Sequence, residues 1–274
     1  MELFLPVLFG CIVGLSLGLT GGGGSIFAIP LLIYGLDMTL TDAVPVSLVA
    51  VALTAAIGAW YSWRAGLLLW LPILLFAAGG VIAAPAGIYL SRYFEVSTLI
   101  TGFSLLTLVI GLAMWKKSIS RPHEAGAVRA LAIVDDKGPM CRFSADGKLR
   151  VTTPCALILF LAGIVTGLLS GLFGVGGGFL IVPALIFVIE LGIHRAVAAS
   201  LMIITFIGTS GSVSILLTGA LPWPVLLPFI AGSIAGMLAG RLFAARIAGP
   251  RLQQLFATAI LATGTGMLLR TLIN

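Results

Sequence analysis

The sequence predicts an all-α, polytopic membrane protein built from two duplicated halves, and three observations carry that prediction. Hydrophobic residues make up 60% of the chain and charged residues only 9%, so it cannot present a polar coat to water. Uncharged runs long enough to cross a bilayer follow one another between short charged breaks. A glycine-rich stretch over residues 18–30, GLTGGGGSIFAIP, has a near copy over 171–183, GLFGVGGGFLIVP.

In chain order the uncharged runs are 34 residues over 3–36, 21 over 43–63, 27 over 65–91 and 20 over 96–115. A polar loop over 116–150 follows, then runs of 39 over 151–189, 45 over 196–240 and 18 over 252–269. A helix crosses with about 20 residues, so the run of 45 holds two crossings. Its break is expected at TGALPWP, 218–224, where Gly219, Pro222 and Pro224 punctuate the pattern and Trp223 suits an interface. Eight hydrophobic segments result, four on each side of the loop. The chain therefore divides into a first transmembrane repeat, 1–115, the loop, 116–150, and a second repeat, 151–274.

The halves match at a constant offset of 153, without a gap, from Gly14 and Gly167 through Ser47 and Ser200, Gly58 and Gly211, and Gly87 and Gly240 to Met114 and Met267. Greasy helices do not hold one register over about a hundred residues by chance. Duplications of this kind typify secondary transporters, whose sites lie at the repeat interface and are built from interrupted helices.

The interruption is expected at the glycines. Each costs about 1 kcal/mol in a helix against alanine and frees the backbone, so breaks are expected near 21–24 and 174–178. A straight helix of 39 residues would reach about 58 Å against a core of about 30 Å, so the first segment of each half folds back there as a hairpin. Broken backbone survives in lipid only where protein covers it or a polar cavity meets it, which makes the breaks candidate binding sites. The competing reading is close helix packing, which uses glycines four apart and not four in a row.

If each hairpin returns to its side of entry, the halves make three net crossings and are inverted. Arg64, the loop, His194, Arg195, Arg241, Arg246 and Arg251 then share the cytoplasmic side, with Arg92 and Arg270 as exceptions. Parallel halves would move Arg195, Arg241, Arg246 and Arg251 outside. The positive-inside rule selects inversion. Eight of the fifteen Lys and Arg lie in the loop, so the net charge of +6 signals topology and not nucleic acid. Within the loop, 128–134 and 141–152 can pair as a hairpin around Ala145, Asp146 and Gly147, though a plain linker explains it as well. The N-terminus lacks a basic n-region and an evident cleavage site, so its first segment reads as retained.

No enzyme constellation is visible. Cys11, Cys141 and Cys155 show no metal or disulfide spacing, and His123 and His194 are isolated. TGGGGS and GVGGGF lack the terminal Gly-Lys-Ser/Thr of a phosphate loop. No cofactor or metal is expected. The available chemistry is dipoles and hydroxyls. Helices restarting near Ser25 and Phe179 would aim free N–H groups at the breaks, an anion site. Candidate substrate ligands are Thr20, Gly21, Gly22, Gly23, Gly24, Ser25 and Ser47 in the first half, with Gly174, Gly176, Gly177, Gly178 and Ser200 in the second. Further hydroxyls are Ser170, Thr54, Thr205, Thr209 and Ser210. A membrane serine often bonds only its own backbone four residues back, which is the bland reading for Ser47 and Ser200. Asp37 and Glu190, matched acids beyond the hairpins, are candidates for proton coupling, against the ordinary reading of solvated charges.

The paired G-L-x-G-x-G-G stretches ending at Pro30 and Pro183, each followed by an alanine-rich segment with Ser47 or Ser200, resemble the sulfite exporter TauE/SafE family. The resemblance covers nearly the whole chain apart from the loop. It implies a multi-pass protein of the bacterial or archaeal cytoplasmic membrane that moves small anions, including sulfite and sulfonates, outward. The chain departs from the pattern at Thr20, where the second motif has the aromatic Phe173, and in its longer loop. Expected partners are a small anion and the bilayer, with no nucleic acid and homodimerisation left open. Other readings are a carrier of another anion, a cation or a neutral metabolite, or a non-transporting subunit whose loop docks a partner.

Overall fold

The computed structural model describes residues 4–22, 24–120, 142–143, 149–150, 153–173, 178–189, 193–217 and 221–244, with residues 254, 257, 258, 260–262 and 264–266. The helices are α1 Phe4–Thr20, α2 Gly24–Gly35, α3 Leu40–Arg64, α4 Trp70–Ser91, α5 Val96–Ser120, α6 Thr153–Phe173, α7 Gly178–Val188, α8 Ile193–Leu216 and α9 Trp223–Ala244. The described residues between 254 and 266 are also helical.

Among the described residues, five helices are long and apolar enough to cross a membrane: Leu40–Arg64, Trp70–Ser91, Thr153–Phe173, His194–Leu216 and Trp223–Phe243. Phe4–Thr20, Ile26–Gly35 and Ser97–Ala113 are shorter apolar helices. The run of 45 divides as expected, with α8 ending at Leu216 and α9 starting at Trp223. Thr39 caps α3: its Oγ1 accepts from the Asp42 N–H at 3.3 Å and donates to Asp42 Oδ2 at 2.7 Å, which satisfies a first-turn donor. In the loop, Arg142–Phe143 pairs antiparallel with Leu149–Arg150. The described pairing thus falls inside 141–152, while 128–134 lies outside the described residues. Cys155, read from the sequence as unpaired, is disulfide-bonded.

Glycines decide how the helices meet. On α1, a methyl group at Gly10, Gly14 or Gly18 would strike the carbonyl of Phe229, Ser233 or Met237 on α9. On α6, the same group at Gly163, Gly167 or Gly171 would strike the carbonyl of Phe76, Gly80 or Ala84 on α4. Residue numbers climb together in both pairs, so α1 runs parallel to α9 and α6 parallel to α4. Every contact in one pair is the other displaced by 153. The central helices behave differently. Gly58 faces Leu201, and Gly211 faces Leu48 at 3.6 Å, so the repeat equivalents α3 and α8 cross the molecule antiparallel. Glycine spacing of four lets these backbones touch, as small residues do between membrane helices. Phe76 and Phe229, again equivalent positions, are fully buried.

Candidate functional site

The first glycine run interrupts the helix where expected. The Gly21 N–H donates to Leu17 O at 2.7 Å, and Gly21 turns to φ +72°, the left-handed conformation that closes a helix and that glycine adopts without a Cβ penalty. Helix α2 then starts at Gly24, one residue before the expected Ser25, and doubles back along α1. Gly24 lies against Val13 and Leu17, while Gly35, eleven residues on, meets the ring of Phe9. At about 1.5 Å per residue α2 covers about 18 Å, too little to cross alone.

The second half presents the same start one residue before the expected Phe179, since α7 begins at Gly178. A methyl group on Gly22 would collide with the Gly178 carbonyl, and one on Gly178 would lie 3.0 Å from Gly22 Cα and O. The backbone just before α2 therefore packs against the first residue of α7, and the first-turn N–H groups of each helix have no acceptor within their own helix. Of the remaining candidates, Gly23, Gly174, Gly176, Gly177, Glu190 and the Ser25 side chain lie outside the described residues.

Ser200 acts on this break directly. Its hydroxyl donates to Gly21 O at 2.7 Å and to Val197 O at 2.8 Å, and the residue is fully buried. Gly21 is wedged against it: a Cβ there would come within 2.7 Å of Val197 Cα and 2.8 Å of Ser200 Oγ. Ser47, its repeat equivalent, is also fully buried, yet its Oγ makes no hydrogen bond. Ser170, one turn before the second run and 1% exposed, is likewise unbonded.

Most other candidate hydroxyls follow the bland reading. Thr20 donates to Ser16 O at 2.6 Å, Thr205 to Leu201 O at 2.8 Å and Thr209 to Thr205 O at 2.7 Å. Ser210 reaches across to Val81 O at 2.9 Å. Thr54 joins its own Ala50 O and, at 2.7 Å, the Ser233 hydroxyl of α9. At the equivalent place in the other half Ile207 packs on Gly80, so the halves differ chemically where they agree in shape. Single positions announced neither the Thr54–Ser233 pair nor the unbonded state of Ser47.

Position along the bundle is also informative. Val197 and Ser200 lie in the first third of the 24-residue α8, so the first break stands nearer one end of the central helices than their middle. Asp37 is exposed, with φ +51°, in the turn after α2. An apolar crevice lined by Ile29, Leu40, Leu99, Ile100, Phe103, Leu172 and Phe173 offers no polar side chain.

Comparison with known proteins fits this geometry. The family model for the sulfite exporter TauE/SafE matches residues 6–267. A Xylella fastidiosa (strain 9a5c) protein named "Probable membrane transporter protein" is 31% identical, covering 98% of this chain and 96% of its own. The Bacillus subtilis (strain 168) "Probable membrane transporter protein YunE" is 28% identical over 86% of each. No solved structure matches the chain significantly. With interrupted helices joined at their glycines and a family match spanning almost every residue, the chain belongs to the sulfite exporter TauE/SafE family of membrane transporters.

Proposed function

We propose that this transporter moves small sulfur-containing anions, such as sulfite, sulfonates or related organosulfur acids, outward across the bacterial or archaeal cytoplasmic membrane. The observation that carries the reading is the contact of Gly22, two residues before α2, with Gly178, the first residue of α7, in a core that also holds the unbonded Ser47 hydroxyl. Helix starts favour negative charge, and buried hydroxyl donors complete an oxyanion's shell. A cation reading is weaker here. The Gly21 carbonyl is already taken by Ser200, and the described acids Asp37, Asp42 and Glu95 are all exposed.

The halves are proposed to be inverted repeats. Equivalent helices running antiparallel, as α3 and α8 do, call for a two-fold axis across the helices, in the membrane plane, and parallel α1 and α9 agree. That arrangement gathers Arg64 at the end of α3, Arg195 at the start of α8 and Arg241 at the end of α9 on one side, which the positive-inside rule makes cytoplasmic together with the loop. The Cys155 disulfide points the other way, because disulfides favour oxidising compartments. The distributed charge outweighs it, since it draws on three separate elements.

Sulfite uptake into proteoliposomes tests the substrate and the site together. Wild type should carry sulfite or a short sulfonate. Ser47→Ala should lower uptake about tenfold, the size of a lost hydrogen bond to a charged group, and Gly22→Leu should abolish it. Undiminished flux in both variants would remove the site assignment, and a wild type that moves neither anion would remove the substrate.

A further inference from the structure

We propose that Arg241 is a waiting site for the anion, a second oxyanion-binding position at the approach to the first glycine break. The proposal rests on the transport reading above. Arg241 lies in the last turn of α9, and its backbone N stands 2.9 Å from where a methyl group on Gly18 would be, about one helical turn before the Gly21–Gly22 break. Its guanidinium carbon sits 4.7 Å from the centroid of the Tyr61 ring. One guanidinium nitrogen is buried and donates no hydrogen bond.

A buried guanidinium donor without an acceptor is costly in a membrane protein, and such groups mark ion pathways by default. Arg64, Arg92 and Arg195, at the ends of other helices, are different: all three are exposed. Stacking on Tyr61 occupies the face of the guanidinium and leaves its N–H edge, whose fork geometry matches an oxyanion with two parallel acceptors. The position is also unequal between the halves. The repeat equivalent of Arg241 is Ile88, packed near Gly211 at 3.5 Å. An anion approaching along α1 and α9 meets this stacked cation one turn before the break; at the equivalent place on α4 stands the apolar Ile88, and Arg92, four residues on, is exposed at the helix end. Binding from the two faces is therefore unequal by construction.

The experiment measures initial sulfite flux against concentration in oriented proteoliposomes, with sulfite presented on either face. Arg241→Gln should raise the half-saturating concentration about tenfold on the Arg241 face, the scale of a lost charge-assisted bidentate contact, with the other face and the saturating rate nearly unchanged. Arg241→Lys should recover part of the loss, and Arg64→Gln should behave as wild type. A lipid phosphate is the other acceptor with this chemistry. If Arg241→Gln leaves sulfite dependence equal on both faces, and activity instead follows the anionic-lipid content of the vesicles, Arg241 is a headgroup anchor and the proposal fails. Failure of wild type to carry sulfite would overturn the transport reading alone. In that case sulfite stabilisation in thermal melts, present in wild type and Arg64→Gln but lost in Arg241→Gln, still decides the binding site, and equal stabilisation of all three overturns it.

Discussion

Ser47 and Ser200 occupy one repeat position and do opposite work. Ser200 holds the Gly21 carbonyl, so Ser200→Ala should orphan a buried acceptor and lower stability by about 1–2 kcal/mol. Ser47 already carries an unbonded buried hydroxyl, so Ser47→Ala removes a desolvated group and should leave stability unchanged or slightly higher while weakening anion binding. Thermal melts in detergent, run beside sulfite flux, separate the two. Equal loss of stability in both variants would show that Ser47 is bonded after all. The sequence nominated both serines through their equivalence. It could not tell them apart, because a hydrogen bond depends on the rotation of α8 against the α1 end, which one-dimensional spacing does not encode.

At the scale of elements, the bundle depends on glycines packed backbone to backbone. Gly14→Ala and Gly167→Ala each place a methyl group on a facing main-chain carbonyl, Ser233 or Gly80, and should cost about 1–3 kcal/mol as overpacking. Gly102→Ala is the control. Its new methyl group meets only the Phe173 ring at 3.8 Å, an ordinary contact, and alanine favours the helix by about 1 kcal/mol, so its melting temperature should hold or rise. A Gly14→Ala melt indistinguishable from that of Gly102→Ala would mean the α1–α9 contact is looser than described. The competing packing role of glycine and its role in breaking helices both operate here, at different positions. Glycines spaced by four join α1 to α9 and α6 to α4, and the consecutive run opens the α1–α2 hairpin.

For the whole molecule, the inverted arrangement makes a sidedness prediction. Single cysteines at Arg195 and at Tyr93, in a background without other reactive thiols, should label from opposite faces of intact cells, Arg195 only from the cytoplasm. Labelling of both positions from the same face would support parallel halves instead. What the sequence determined alone was the membrane class, the duplication and the helix interruption, because hydropathy, register and glycine's missing Cβ act locally along the chain. Only the tertiary structure decided that Gly22 meets Gly178, that Ser200 is bonded and Ser47 is not, and that an Arg241 nitrogen is buried without an acceptor. Each of those follows from how helices distant in sequence rotate and close upon one another, and identical repeat positions meet different neighbours when they do.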